Sequence, residues 1–153
     1  MKKTSILLAA SLGVAGFASA PSQAAMLTFG VAAEGAKFGG YGCADVAGAS
    51  IAPGTAVWAW DCHGAGNQQF SFNGSSIQAM ALTRCLQASG TSVGATVAIQ
   101  ACNASAGQLW HYNGGKIVNQ TSSLCLDAGA GTKGTALTLQ TCAAKQSQTW
   151  QIK

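Results

Sequence analysis

Charge is what this chain has least of. Only 12 of its 153 side chains are Lys, Arg, Asp or Glu, eight basic and four acidic. Disordered chains pair high charge with few apolar residues, and nucleic-acid binders carry dense Lys/Arg patches, so neither class fits. Setting aside the first 25 residues, which hold two lysines and no acid, leaves six basic against four acidic groups and a net charge of +2. Histidine is nearly missing as well, with His63 and His111 alone. With so few acids, and no nucleophile that has a recognisable base nearby in sequence, a catalytic role is a poor expectation and the chain reads as a non-enzyme with no cofactor. Long hydrophobic runs are absent. The longest uncharged apolar stretch, residues 6–18, is short of the roughly 20 residues that span a bilayer, and no later segment resembles a membrane span.

That stretch follows Lys2 and Lys3 and leads into small residues around Ala18-Ser19-Ala20 and Ser22-Gln23-Ala24, the layout of a secretory signal. Pro21 disfavours cleavage after Ala20, which leaves the bond after Ala24 or Ala25. The expected organisation is a signal peptide over residues 1–25 and one domain over residues 26–153, since about 128 residues suffice for one core and not comfortably two. Such a domain is secreted or periplasmic, in an oxidising compartment where cysteines pair.

What the chain does have is glycine, 20 residues, six cysteines, and an uncharged polar complement of Ser, Thr, Asn and Gln. Its cysteines and aromatics repeat with one period. Cys62, Cys102 and Cys142 are 40 residues apart, as are Phe70, Trp110 and Trp150, while Cys43, Cys85 and Cys125 follow at steps of 42 and 40. Gln68, Gln108 and Gln148 each stand two positions before the aromatic. Within each copy the signals are those of short strands. Residues 95–100 and 136–140 alternate apolar with polar side chains between Gly, Ser and Asn clusters. Asn73-Gly74 and Asn113-Gly114 are hairpin signals, because both residue types accept positive φ. No sustained helical period is present.

Four short strands in each of three repeats predict an all-β fold, a twelve-stranded β-trefoil of repeats of about 40 residues. Each repeat's apolar face stays unburied until the other two close around it. Six cysteines allow fifteen full pairings. Separations of 19, 17 and 17 within the copies suggest one bridge per repeat: Cys43–Cys62, Cys85–Cys102 and Cys125–Cys142. The closely spaced cysteine pairs of structural zinc sites do not occur, so no metal is expected.

The triplets Gln68-Gln69-Phe70, Gln108-Leu109-Trp110 and Gln148-Thr149-Trp150, with paired cysteines upstream, resemble the ricin B-type lectin domain over about residues 27–153. The stretch Trp60-Asp61-Cys62-His63-Gly64, followed by Asn67-Gln68-Gln69-Phe70, is especially similar to bacterial carbohydrate-binding modules of that family. The resemblance implies a β-trefoil that binds sugars without catalysis. It also implies a ligand set in each repeat: an Asp two residues after the first cysteine, an aromatic two before the second, and an Asn beside the Gln. A sugar ring offers an apolar face to stack and a rim of hydroxyls to bond, which suits such a set.

By that pattern the first copy holds Asp45, Trp60, Asn67 and Gln68, with His63 just after Cys62. The second has Gln87, Gln100 and Gly107 at the matching positions and is expected to be empty. The third keeps Asp127 and Gln148 but has Gln140 and Ser147, a weaker second site at best. Trp58 lies on the same side of its strand as Trp60 by alternation, either widening the platform or packing. The three repeated glutamines are expected to serve structure first, since they recur in the depleted copies.

The reading is therefore a secreted lectin with one intact site for galactose- or xylose-type glycans, binding no nucleic acid. A toxin's glycan-binding subunit, with a toxin or enzyme partner chain, and a β-trefoil protease inhibitor are the alternatives. One departure from the pattern stands out. Ile77 and Ile117 precede the next first-position cysteine by eight residues, whereas Leu27 lies 16 before Cys43. The excess falls in the Gly-rich residues 34–42, which lead into Asp45 and are expected to reshape the site.

Overall fold

The computed structural model describes residues 23–30 and 41–153; the expected signal segment up to residue 22, and residues 34–40 of the Gly-rich insertion, lie outside the described residues. Among the described residues twelve short strands follow one another with only single-turn 3-10 segments between them. They are β1 (Leu27–Gly30), β2 (Tyr41–Val46), β3 (Val57–Trp60), β4 (Phe70–Asn73), β5 (Ser76–Ala79), β6 (Arg84–Ala88), β7 (Val97–Gln100), β8 (Trp110–Asn113), β9 (Lys116–Asn119), β10 (Cys125–Asp127), β11 (Thr138–Gln140) and β12 (Trp150–Ile152).

Three four-stranded antiparallel sheets form, ordered β4-β5-β6-β7, β8-β9-β10-β11 and β12-β1-β2-β3. Each sheet takes the last strand of one repeat and the first three of the next. The third closes the ring by pairing the chain's last strand with its first, Leu27 opposite Ile152.

A barrel of β12, β1, β4, β5, β8 and β9 closes through bridging bonds that join one sheet to the next within each repeat. Phe70 N–H donates to Ala25 O (2.8 Å), Trp110 N–H to Ser75 O (2.7 Å) and Trp150 N–H to Gly115 O (2.7 Å). Ala25 also donates its own N–H to Phe70 O (2.7 Å), so it occupies the position that Ser75 and Gly115 fill in the other two copies. The hairpins β2–β3, β6–β7 and β10–β11 cap the barrel. Their third strands are stitched to one another around the axis, with Ala59 N–H donating to Thr135 O (2.8 Å), Val97 N–H to Leu137 O (3.0 Å) and Ile99 N–H to Thr55 O (2.9 Å). This is the β-trefoil that the repeat predicts.

Alternation determines which side chains fill the core. Residues on β3 and β7 are buried and half-buried in turn, because successive side chains on a strand point to opposite faces. The buried positions come in threes: Leu27, Ile77 and Ile117; Val57, Val97 and Leu137; Phe70, Trp110 and Trp150, none more than 1% exposed. Both buried tryptophans also satisfy their N–H, Trp110 Nε1 on Leu86 O and Trp150 Nε1 on Leu126 O, each at 2.9 Å. The phenyl ring of Phe70 carries no such donor. Asn119 breaks the apolar set of Phe29 and Ala79. It is 0% exposed and bonds through both side-chain atoms, Nδ2 to Ala106 O and Leu109 O and Oδ1 from Ser122 N–H and Oγ.

The predicted hairpins are present, with their loops one residue later than the Asn-Gly pairs suggest. Asn73 pairs with Ser76 and Asn113 with Lys116 as the last ladder positions, so the loops are Gly74-Ser75 and Gly114-Gly115. Positive φ falls on Gly74 (59°), Gly114 (56°) and Gly115 (80°) rather than on either Asn, since glycine accepts it without a Cβ penalty.

The disulfides join Cys43 to Cys62, Cys85 to Cys102 and Cys125 to Cys142, one per repeat as the spacing suggested. Each ties the second strand of a repeat to the loop before its 3-10 turn. No helix among the described residues is long and apolar enough to cross a membrane.

Candidate functional site

The first copy's predicted residues come from three adjoining pieces of chain. Asp45 lies on β2, Trp58 and Trp60 on β3, His63 in the loop fastened by Cys62, and Asn67 and Gln68 on the 3-10 turn Gly66–Gln68. Register decides which indole meets the carboxylate. Asp45 stands opposite Trp58, and Cys43 opposite Trp60.

Accordingly Trp58 Nε1 donates to Asp45 Oδ1 (2.9 Å), while Gln68 Nε2 donates to Asp45 Oδ2 (2.8 Å). His63 Nε2 lies 3.2 Å from that same Oδ2. Ala65 N–H points at His63 Nδ1 (3.3 Å), which makes Nδ1 an acceptor and so assigns the neutral ring's proton to Nε2, facing Asp45. Asp45 is only 2% exposed. A buried carboxylate without donors is costly, and three donors offset that cost here. A carboxylate has about four acceptor directions, so one remains on Oδ1.

Gln68 has no spare capacity. Its Nε2 also donates to Asp61 O (2.7 Å), and its Oε1 accepts from His63 N–H (2.8 Å) and Gly64 N–H (3.1 Å). It is a strut that holds Asp45 and shapes the His63 loop. The same strut recurs in the other copies. Gln108 bonds Gln87 Oε1, Ala101 O and the N–H groups of Asn103 and Ala104. Gln148 bonds Asp127 Oδ2, Thr141 O and Ala143 N–H. Asn67 sits half-buried beside this unit, with Nδ2 directed at Val46 O (3.3 Å).

Trp60 is half-buried. Trp58 stacks on it with centroids 4.9 Å apart and planes within 16°, and Lys133 Nζ stands 4.4 Å from its centroid. Lys133 reaches across from the third repeat and also pairs with Asp61 Oδ2 (2.9 Å); both of these side chains are close to half exposed. An exposed pair of this kind contributes at most about 1 kcal/mol, so the lysine is readily displaced. Sequence reasoning did not find Lys133, which lies 72 residues from Asp61 and outside every repeat motif. The Trp58–Asp45 bond was foreshadowed only by alternation along β3.

The depleted copies differ in ways that the geometry explains. In the second, Gly107 stands where the first has Asn67, and any Cβ there would collide with the carbonyl of Ala88. In the third, Asp127 Oδ1 is capped by Gly129 N–H (2.6 Å) and Oδ2 by Gln148. A shallow depression of about 280 Å³ lies over it, bordered by Thr138, Gln140, Lys145 and Ser147 with no aromatic ring. Among the described residues no cluster of three or more His, Cys, Asp or Glu could hold a metal ion.

A threefold β-trefoil with a carboxylate and two indoles gathered on one cap hairpin has the architecture of a sugar-binding domain. The comparisons agree. Residues 37–150 match the family model of the ricin-type beta-trefoil lectin domain, and the chain belongs to that family. Among solved structures it is similar to the agglutinin from Abrus precatorius, at 22% identity and TM-score 0.73, covering 90% of this chain and 51% of that one. It is also similar to a non-toxic homologue of type II RIPs from Momordica charantia in complex with α-methyl-D-galactoside, at 31% identity and TM-score 0.71, over 86% of this chain and 48% of the other. The beta-trefoil lectin of the Vibrio vulnificus hemolysin/cytolysin, with N-acetyl-D-lactosamine bound, matches at 19% identity and TM-score 0.69, over 88% and 96%. The chain thus spans about half the length of the two plant proteins. Comparison with curated proteins finds no match.

Proposed function

We propose that this domain is exported and binds glycans through the first repeat, with galactose-type units preferred and xylose-type units the second candidate. The observation that carries the reading is the Asp45 carboxylate, buried under Trp58, Gln68 and His63 beside the stacked indoles. The family supports sugar binding as such, and the galactoside in the Momordica charantia homologue supports the preference.

In this reading His63 occupies the acceptor direction that a sugar hydroxyl takes when bound. Its side chain is 41% exposed on a loop, so it turns outward at small cost and then borders the ligand. The hydroxyl donates to Asp45, Asn67 bonds a neighbouring hydroxyl, and displacement of Lys133 frees the Trp60 face for the ring's C–H groups. Gln68, and the matching Gln148 under Asp127, hold the carboxylates in place without touching sugar.

A shallow single site of this kind binds at millimolar to micromolar strength, about 4–8 kcal/mol. Calorimetric titration of the mature domain with methyl galactosides and xylo-oligosaccharides tests the reading, with Trp60→Ala expected to weaken binding at least about tenfold, or 1.4 kcal/mol. Failure to bind either class, or an affinity indifferent to Trp60→Ala, refutes it.

A further inference from the structure

The three copies differ at one position that leaves a hole in the surface. Met26, Ser76 and Lys116 are equivalent, each preceding the buried Leu27, Ile77 and Ile117. In the first copy Met26 reaches the loop after Cys62, its Sδ 3.9 Å from where a Cβ on Gly64 would lie. In the third, Lys116 Nζ crosses to the loop after Cys142 and donates to Ala143 O (2.6 Å). In the second, the short Ser76 turns back instead, its Oγ donating to Asn73 O (2.9 Å). No side chain among the described residues spans the gap to the loop after Cys102, and a depression of about 380 Å³ opens there, floored by the Cys85–Cys102 disulfide and Leu109. That volume lies at the lower end of the roughly 300–1,000 Å³ typical of small-molecule sites.

Three carboxamides facing it have hydrogen-bonding atoms to spare. Gln78 is half-buried, and among the described residues neither its carboxamide nor that of Asn73 has a hydrogen-bond partner in the fold. Asn103 uses its Oδ1 on Ser105 N–H (3.0 Å) and leaves its Nδ2 free. The first and third copies have Thr28 and Val118 where Gln78 stands, and His63 and Ala143 where Asn103 stands. Thus the copy that lost its family ligands has gained an amide-lined depression elsewhere.

Among the described residues no charged side chain borders the depression. An ion would be stripped of water there without a counter-charge, and a purely apolar molecule would bury carboxamides unpaired. We propose that this depression is a second binding site, for an uncharged hydroxyl-bearing ligand such as a neutral sugar residue. Carboxamides donate and accept at once, as hydroxyls do, and the disulfide floor meets the apolar face. It shares no residue with the first-repeat site and does not rest on it.

The test is ¹⁵N-resolved NMR titration of the mature domain with methyl galactoside, xylobiose, maltose and glucuronate. A neutral sugar is expected to shift the side-chain NH₂ signals of Gln78 and Asn103 with millimolar affinity, and to do so equally in Trp60→Ala. Ser76→Lys, which copies the bridging lysine of the third repeat, should weaken this response at least about tenfold. Gln78→Ala should do the same and guards against a folding defect in the lysine variant. No shift at Gln78 and Asn103 with any neutral sugar overturns the proposal, as does a response that survives both substitutions, and glucuronate binding as tightly as the neutral sugars overturns the ligand class. A response at Gln78 that persists while none occurs around Trp60 refutes the first-repeat reading alone.

Discussion

Replacing Trp58 by Phe removes one hydrogen bond and keeps an aromatic ring, so it isolates the contact that holds the Asp45 carboxylate. The bond runs from an indole N–H to Oδ1 of a residue only 2% exposed. Hydrogen bonds to charged groups contribute about 1.5–3 kcal/mol, because the buried charge is left short of a donor when one is lost. For a domain of this size that corresponds to a fall in Tm of roughly 5–15 °C. Calorimetry and urea unfolding at neutral pH measure it directly. A cycle with Asp45→Asn sharpens the result: residues in direct contact couple by about 0.5–3 kcal/mol, so the double variant should be less destabilised than the two single changes added together. Trp60→Phe serves as the control, since Trp60 stacks on Trp58 without touching the carboxylate through its N–H. Stability of Trp58→Phe within about 0.5 kcal/mol of the parent, the usual range of neutral surface changes, or a coupling near zero, refutes the account of how this carboxylate is kept buried.

Two further outcomes follow from the same fold. Gly42 faces the buried Phe29 across β1 and β2, and a Cβ there would run into the ring; Gly42→Ala should cost about 1–3 kcal/mol through overpacking, read as a lowered urea midpoint at unchanged slope. Ala25 bonds Phe70 in both directions, so removal of the proposed leader after Ala24, one residue before the 1–25 boundary expected from the sequence, would preserve a bridge that all three copies share. Intact-mass measurement of the exported protein should find Ala25 as its first residue, and a mature form that begins at Met26 would contradict this.

The repeat and the cysteine pairing were legible in the sequence because equal environments recur at equal intervals. Phe70, Trp110 and Trp150 return every 40 residues and occupy one buried ring of positions, and each disulfide closes within 17 to 19 residues of its own copy. The likeness of Asp45, Trp60, Asn67 and Gln68 to the family's ligand set was legible for the same reason: all four lie within one copy, at offsets that a single hairpin and turn bring together. Gln68, Gln108 and Gln148 were also readable as struts, because a residue retained where the ligands are gone must answer to the fold.

What only the tertiary structure decided is how much of each group is left over. Whether Asp45 can accept a hydroxyl depends on donors already aimed at it, and the pairing register selects Trp58 rather than Trp60 as one of them. Whether Trp60 offers a bare face depends on Lys133, brought over it from the third repeat by closure of the ring. The void beside Ser76 exists because Ser76 is too short to cross the gap to the loop after Cys102, a gap that Met26 and Lys116 span in the other copies. A one-dimensional pattern records which side chains are present; the hydrogen-bond directions still vacant, and the space still unfilled, are settled only when distant segments pack against them.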